Sequence, residues 1–199
     1  IANITDLPVT GGVRGWDTGP GNMLLDAWIK RHSGARYDRD GAWAASGTVQ
    51  TSLLTELTRH PYLTQSPPKS AGREQFNLNW LDAVLDRLDR TLPPVDVQAT
   101  LLELTAISLC EAVSRECPGT QELCICGGGA HNHRLMQRIV AHLPNVRVAT
   151  TSTLGIDPDW VEALAFAWLA RQTLHHAPGN LPSVTGARVS LCEADVGEL

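Results

Sequence analysis

The stretch Gly15-Trp16-Asp17-Thr18-Gly19-Pro20-Gly21-Asn22 constrains the fold more than any other part of the chain. It joins an apolar strand pattern to an amphipathic helix pattern through glycines and a proline, and it carries a single carboxylate on the way. Glycines let backbone N–H groups approach an anion, a following helix N-terminus favours negative charge, and a lone Asp can take a proton or hold a metal. The same residues also fit a plain strand-to-helix turn in which Asp17 or Asn22 caps the helix.

Around that turn the pattern predicts strands at Ile1 to Thr5 and Val13 to Asp17, then a helix from about Asn22 to His32. Apolar residues at three- and four-residue spacing predict helices at Ala42 to Ala45, Val49 to Thr58, Asn77 to Leu92 and Val95 to Cys117. The loop Pro67-Pro68-Lys69-Ser70-Ala71-Gly72-Arg73 interrupts this helical middle, and its Lys69 and Arg73 either grip an anion or are simply solvated. Alternation then resumes. Glu122 to Cys126 reads as a buried strand with Cys124 and Cys126 on one face, Gly127-Gly128-Gly129 as a turn, His131 to Leu143 as a helix and Val146 to Thr150 as a strand. That is a βαβ unit. A long apolar helix from about Asp159 to Leu174 follows, with Asp157 or Asp159 in its first turn. Two glycine-rich strand-to-helix turns in one α/β domain suggest a nucleotide between them, with Asn132 capping the next helix or touching the ligand. Tight strand-to-helix packing explains Gly127 to Gly129 equally simply. No G-x-x-x-x-G-K-[ST] loop occurs.

Composition narrows the partners. With 199 residues, 43% hydrophobic and 19% charged, the chain can bury a sizeable core. A net charge of -5 argues against nucleic-acid or anionic-membrane surfaces, and no run of about 18 apolar residues suggests a span. Five cysteines without a C-x-x-C pair favour neither a disulfide framework nor a zinc site. The chain enters its first strand at Ile1 without a methionine or a recognisable leader, so a preceding segment is expected, and the location is expected to be cytoplasmic.

The blocks Ile1-Ala-Asn-Ile-Thr5, Gly15 to Asn22, Pro67 to Asn77, Asp96-Val-Gln-Ala-Thr100, Cys126-Gly-Gly-Gly-Ala130, Glu162-Ala-Leu-Ala-Phe-Ala-Trp168 and Gly179 to Ala187, in this order, closely resemble the anhydro-N-acetylmuramic acid kinase family. The resemblance covers nearly the whole chain up to Arg188. It implies an α/β fold of the sugar kinase, heat-shock protein and actin superfamily, in which two RNase-H-like lobes close over ATP. Residues 1–199 would form the carboxy-terminal lobe, with a large helical insertion at about 39–118. The amino-terminal lobe, its Met-Ser-Gly-Thr-Ser-x-Asp-Gly phosphate loop and an apolar strand ending in Gly-Gly before Ile1 would be missing, leaving a sheet edge open.

The implied reaction adds water across the 1,6-anhydro bond of 1,6-anhydro-N-acetylmuramic acid and phosphorylates O6, with ATP and Mg2+, during peptidoglycan recycling. Asp17 matches the catalytic base and Glu162 the acidic position of the sugar site, although Glu162 also suits a helix dipole. Thr18, Gly19 and Gly21 would face the phosphates, and Gly127, Gly128, Gly129 and Asn132 the nucleoside. Ala71 stands where the family loop carries Thr, while Lys69, Ser70 and Arg73 match it without an assigned role. A homodimer is implied, and this chain alone is expected to be inactive. Two other readings stay open: a non-catalytic nucleotide- or sugar-binding lobe, and, remotely, an aspartic-type protease, whose Asp-Thr-Gly loop Asp17 to Gly19 spells once. His131-Asn132-His133 spells a nuclease-like triplet without metal-ligand companions and reads as accidental.

Overall fold

One long helix organises the computed structural model, which describes residues 1–88 and 90–190. Strands β1 (Ala2–Asp6) and β2 (Arg14–Gly19) form an antiparallel pair, in which Asn3 faces Asp17 and Ile4 faces Trp16. Helix α1 (Met23–Ser33) leaves β2 through Pro20-Gly21-Asn22 and ends at Gly34, whose left-handed backbone returns an N–H to Lys30 O. Helices α2 (Ala42–Ser46), α3 (Thr51–Thr58), α4 (Pro61–Thr64) and α5 (Leu78–Leu85) precede α6 (Pro94–Glu116). Parallel strands β3 (Glu122–Ile125) and β4 (Arg147–Thr150) flank α7 (His133–His142), completing the expected βαβ unit. The chain continues through α8 (Val161–Leu174) and α9 (Pro182–Thr185).

Helix α6 is long and apolar enough to cross a membrane by length and composition, contrary to the expectation of no such run, yet 83% of that window lies inside the protein. It is a core helix. Its buried Val97, Leu101, Leu104, Leu109 and Val113 belong to a single cluster with Ile4 and Trp16 from the first strand pair and Leu135 and Ile139 of α7. Burying side chains of this size stabilises by roughly 1.5–3 kcal/mol each, so α6 is what unites both halves. Trp28 Nε1 donates to Pro94 O at 2.8 Å and fixes α1 to the start of α6. Asp38, buried, accepts from the N–H groups of Trp43 and Ala44 at 2.9 Å each and so holds the first turn of α2.

The fold is mixed α/β, with two two-stranded sheets among the described residues and no ladder between them. From residue 39 to 116 every regular element is helical. Several local expectations change. Asp17, Thr18 and Gly19 lie within β2, so the turn itself is only Pro20 to Asn22. Asn22 occupies the N-cap position of α1 without a capping bond from its side chain. The helix expected to reach Leu92 stops at Leu85, and α8 starts at Val161, which puts Asp157 and Asp159 before the helix and Glu162 in its first turn. Strand β3 is half-buried rather than buried, and Cys126 lies beyond its end and exposed, because only Leu123 and Ile125 turn toward the core.

Candidate functional site

Asp17 leaves its flanking side chains, Trp16 and Thr18, in the interior and presents its own at the surface of β2. Alternation along a strand produces that outcome directly. The main chain of Asp17 is held on both sides, with its N–H donating to Lys69 O at 3.2 Å and its carbonyl accepting from the Tyr62 hydroxyl at 3.0 Å. The carboxylate is held as well. Ser70 Oγ donates to Oδ2 at 3.1 Å and the Ala71 N–H to the same oxygen at 2.8 Å. Burial, with the Asp17 charge adding to it, pushes the Tyr62 phenol up to about 12. Burial lowers the Lys69 ammonium and nearby Arg115 lowers it further, against the opposing pull of Glu116 and Asp17.

At the first glycine turn, Gly21 has φ +57°, and a Cβ there would lie 2.8 Å from the backbone of Ile1 and Ala2. Both facts require glycine. Gly21 O accepts from Thr105 Oγ1 at 2.9 Å, Gly19 is pressed on Ser108 of α6, and the buried Thr18 hydroxyl donates to Ala2 O at 3.2 Å. The turn is therefore rigidly fixed to the core helix. At the second turn Gly127 takes φ +70° and ψ -172°, a region that side chains exclude, and its N–H donates to Pro158 O at 2.9 Å. A 3-10 turn, Gly128–His131, follows, and Asn132 Oδ1 accepts from Leu135 N at 2.9 Å to cap α7. Of the two roles open to Asn132, the cap is the one seen.

The two turns meet. Gly128 and Gly129 face Asn22, whose side-chain nitrogen lies 3.6 and 3.8 Å from where their Cβ atoms would sit. Residues separated by more than a hundred positions are thus brought together, and the absence of side chains on Gly128 and Gly129 leaves their backbone facing Asn22 of the first turn. Glu162 is exposed in the first turn of α8, close enough to Cys126 that its charge, after burial, raises that thiol. His131 Nε2 lies 2.8 Å from Asp159 Oδ1 just beyond the second turn.

The match of an anhydro-N-acetylmuramic acid kinase family model to residues 1–194 decides the family. The chain belongs to it. Relatives called anhydro-N-acetylmuramic acid kinase are 71% identical in Thiobacillus denitrificans, 56% in Saccharophagus degradans and 54% in Nitrosomonas europaea, each over 94% of this chain. The same alignments cover 50%, 50% and 51% of those proteins, so the chain spans about half the length of the curated relatives it matches.

Sequence reasoning about this anhydro-N-acetylmuramic acid kinase family member singled out Asp17 and both turns but missed Tyr62, and gave Ser70 no role. Only the block Pro67 to Asn77 pointed that way, and nothing local connects it to a residue 53 positions earlier. For Mg2+, no group of three His, Cys, Asp or Glu able to hold a metal occurs among the described residues.

Proposed function

We propose that this chain is the carboxy-terminal lobe of an ATP-dependent kinase that opens the 1,6-anhydro bond of 1,6-anhydro-N-acetylmuramic acid and phosphorylates O6, yielding N-acetylmuramic acid 6-phosphate. The observation that carries the reading is the family match through residue 194, with the Asp17 carboxylate held on β2 and Gly128 and Gly129 of the second turn facing Asn22 of the first. Asp17 removes a proton from water, the resulting oxygen bonds to the anomeric carbon, and the bond from that carbon to O6 breaks. O6 takes the γ-phosphoryl group and ADP leaves. Bound ATP with Mg2+ supplies the electrophilic phosphorus. In this reading Gly127, Gly128, Gly129 and the backbone at Asn132 lie on the nucleoside side and Glu162 toward the sugar, while Thr18, Gly19 and Gly21, buried against Ala2, Ser108 and Ile1, hold the first turn in place beneath the phosphate side.

The same reading includes a cytoplasmic location, a homodimer and an amino-terminal lobe as partner. Support for that partner comes from α8, none of whose residues is buried although its stretch 163–170 is apolar without interruption. Leu164, Phe166 and Trp168 are all about half-exposed or more. A second reading, a binding lobe without catalysis, is favoured by the same exposure and by the half-length match. A protease reading has no support from a middle whose regular elements are all helical among the described residues.

A coupled assay with ATP, Mg2+ and the anhydro sugar tests the proposal on this chain alone and with the amino-terminal half of the Thiobacillus relative added. Turnover only in the mixture, falling by 10² to 10⁴ in Asp17→Asn, is the expected result. Sugar binding without turnover in either preparation would leave the non-catalytic reading.

A further inference from the structure

We propose that the segment Lys69-Ser70-Ala71 is a clamp that aims the Asp17 carboxylate, with Ser70 as a positioning residue. The inference rests on Asp17 being the base. Four hydrogen bonds converge on that one residue from a single helix-and-loop unit: from Tyr62 to its carbonyl, from its own N–H to Lys69 O, and from Ser70 and Ala71 to Oδ2. The unit is braced in turn. Lys69 Nζ donates to Tyr62 O at 3.0 Å and lies 4.5 Å from the centre of the Tyr62 ring, while that ring meets Phe76 edge-on at 5.7 Å.

The Asp17 carboxylate is held through one oxygen, by a hydroxyl and a backbone N–H from adjacent residues of the same loop. Glu103 shares its donors between both oxygens, with Arg138 and His142, whereas Asp6 takes both donors of Arg14 on Oδ2. In Asp17 both donors fall on Oδ2, and Oδ1 has no hydrogen-bond partner among the described residues. Two donors on one oxygen lock the rotation of the carboxylate about its last bond and leave the lone pairs of the other pointing in one fixed direction. Oδ1 is then the atom that accepts the proton from water. The contribution of position 71 is a backbone N–H, which needs no side chain beyond the methyl of alanine.

Two measurements test the clamp. In the 199-residue chain, the Ala71 amide should exchange slowly with solvent deuterium and lose that protection in Asp17→Ala; an amide that exchanges as fast as an open loop overturns the geometry. In the complete polypeptide made by fusing this chain behind the amino-terminal half of the Thiobacillus relative, Ser70→Ala should lower kcat by about 10- to 100-fold with KM for ATP unchanged, and Ser70→Thr should restore most of it. Wild-type kcat in Ser70→Ala, alongside an inactive Asp17→Asn, defeats the clamp and leaves the base. Equal loss in Ser70→Ala and Ser70→Thr makes Ser70 structural and overturns its role. Retained turnover in Asp17→Asn, or none in the wild-type fusion, removes the base reading and the clamp with it.

Discussion

Asp17, the proposed base, shows how little of a residue's setting is local. Its exposure follows from alternation in β2, while its two carboxylate donors come from a loop more than fifty residues downstream. Tyr62, which packs behind it, provides a test at the same scale. The folded chain holds the phenolic proton up to about pH 12, against an ordinary value of 10.0. Between these values the unfolded chain ionises first, so folding stability is fully present below pH 10 and falls as pH rises toward 12. Denaturant unfolding at a series of alkaline pH values should show that slope, and Tyr62→Phe should flatten it. Tyr62→Phe should also cost about 1 kcal/mol at neutral pH, since Asp17 O loses its hydroxyl donor.

Helices α6 and α7 are joined by the most buried ion pair of the described residues. Arg138 donates to both oxygens of Glu103 at 2.6 and 2.7 Å, and His142 Nε2 lies 2.8 Å from one of them. Burial acts to raise the Glu103 carboxyl, but hydrogen bonds from Arg138 and His142 outweigh it and hold the group below its ordinary 4.5. Its stabilising contribution is therefore present above about pH 4.5 and is lost as pH falls through the lower folded value. Glu103→Gln should destabilise by about 2 to 3 kcal/mol, near the low end for breaking a buried pair because Arg138 is one-third exposed, and should weaken the acid dependence of the melting temperature. The extents of elements were legible where period and breakers agree. Helix α6 falls within a residue of expectation at each end, since Pro93-Pro94 starts it and Cys117-Pro118 ends the pattern. Helix α5 was overestimated because Leu88 and Leu92 keep an apolar spacing and still pack on the core from turns, so the period outlasts the helix.

Across the whole molecule, the exposed apolar helix stands out against the well-buried α6. In the isolated chain, amides of α6 should be the slowest to exchange with solvent deuterium and those of α8 among the fastest helical ones, because α8 has no buried residue to couple its opening to global unfolding. Addition of the amino-terminal half should slow exchange in α8 and leave α6 unchanged. Equal protection of α8 in both samples would mean that the added half seats elsewhere. Exposed apolar area of this kind should also bind a hydrophobic dye, with the signal falling on mixing.

Local pattern in this chain was enough to set the alternation of strands and helices, the two glycine turns and the βαβ unit. Those features depend on neighbours within one or two turns of backbone, and the ordered blocks of residues carried the family. Tertiary structure decided the rest: that Thr18 is spent on Ala2, that Asn132 caps α7, that Gly128 and Gly129 look onto Asn22, and that Ser70 and Ala71 hold one oxygen of Asp17. The reason is physical. Contacts between residues 53 or 106 positions apart depend on how α6 gathers separate elements into one core, and no periodicity within a segment records that arrangement.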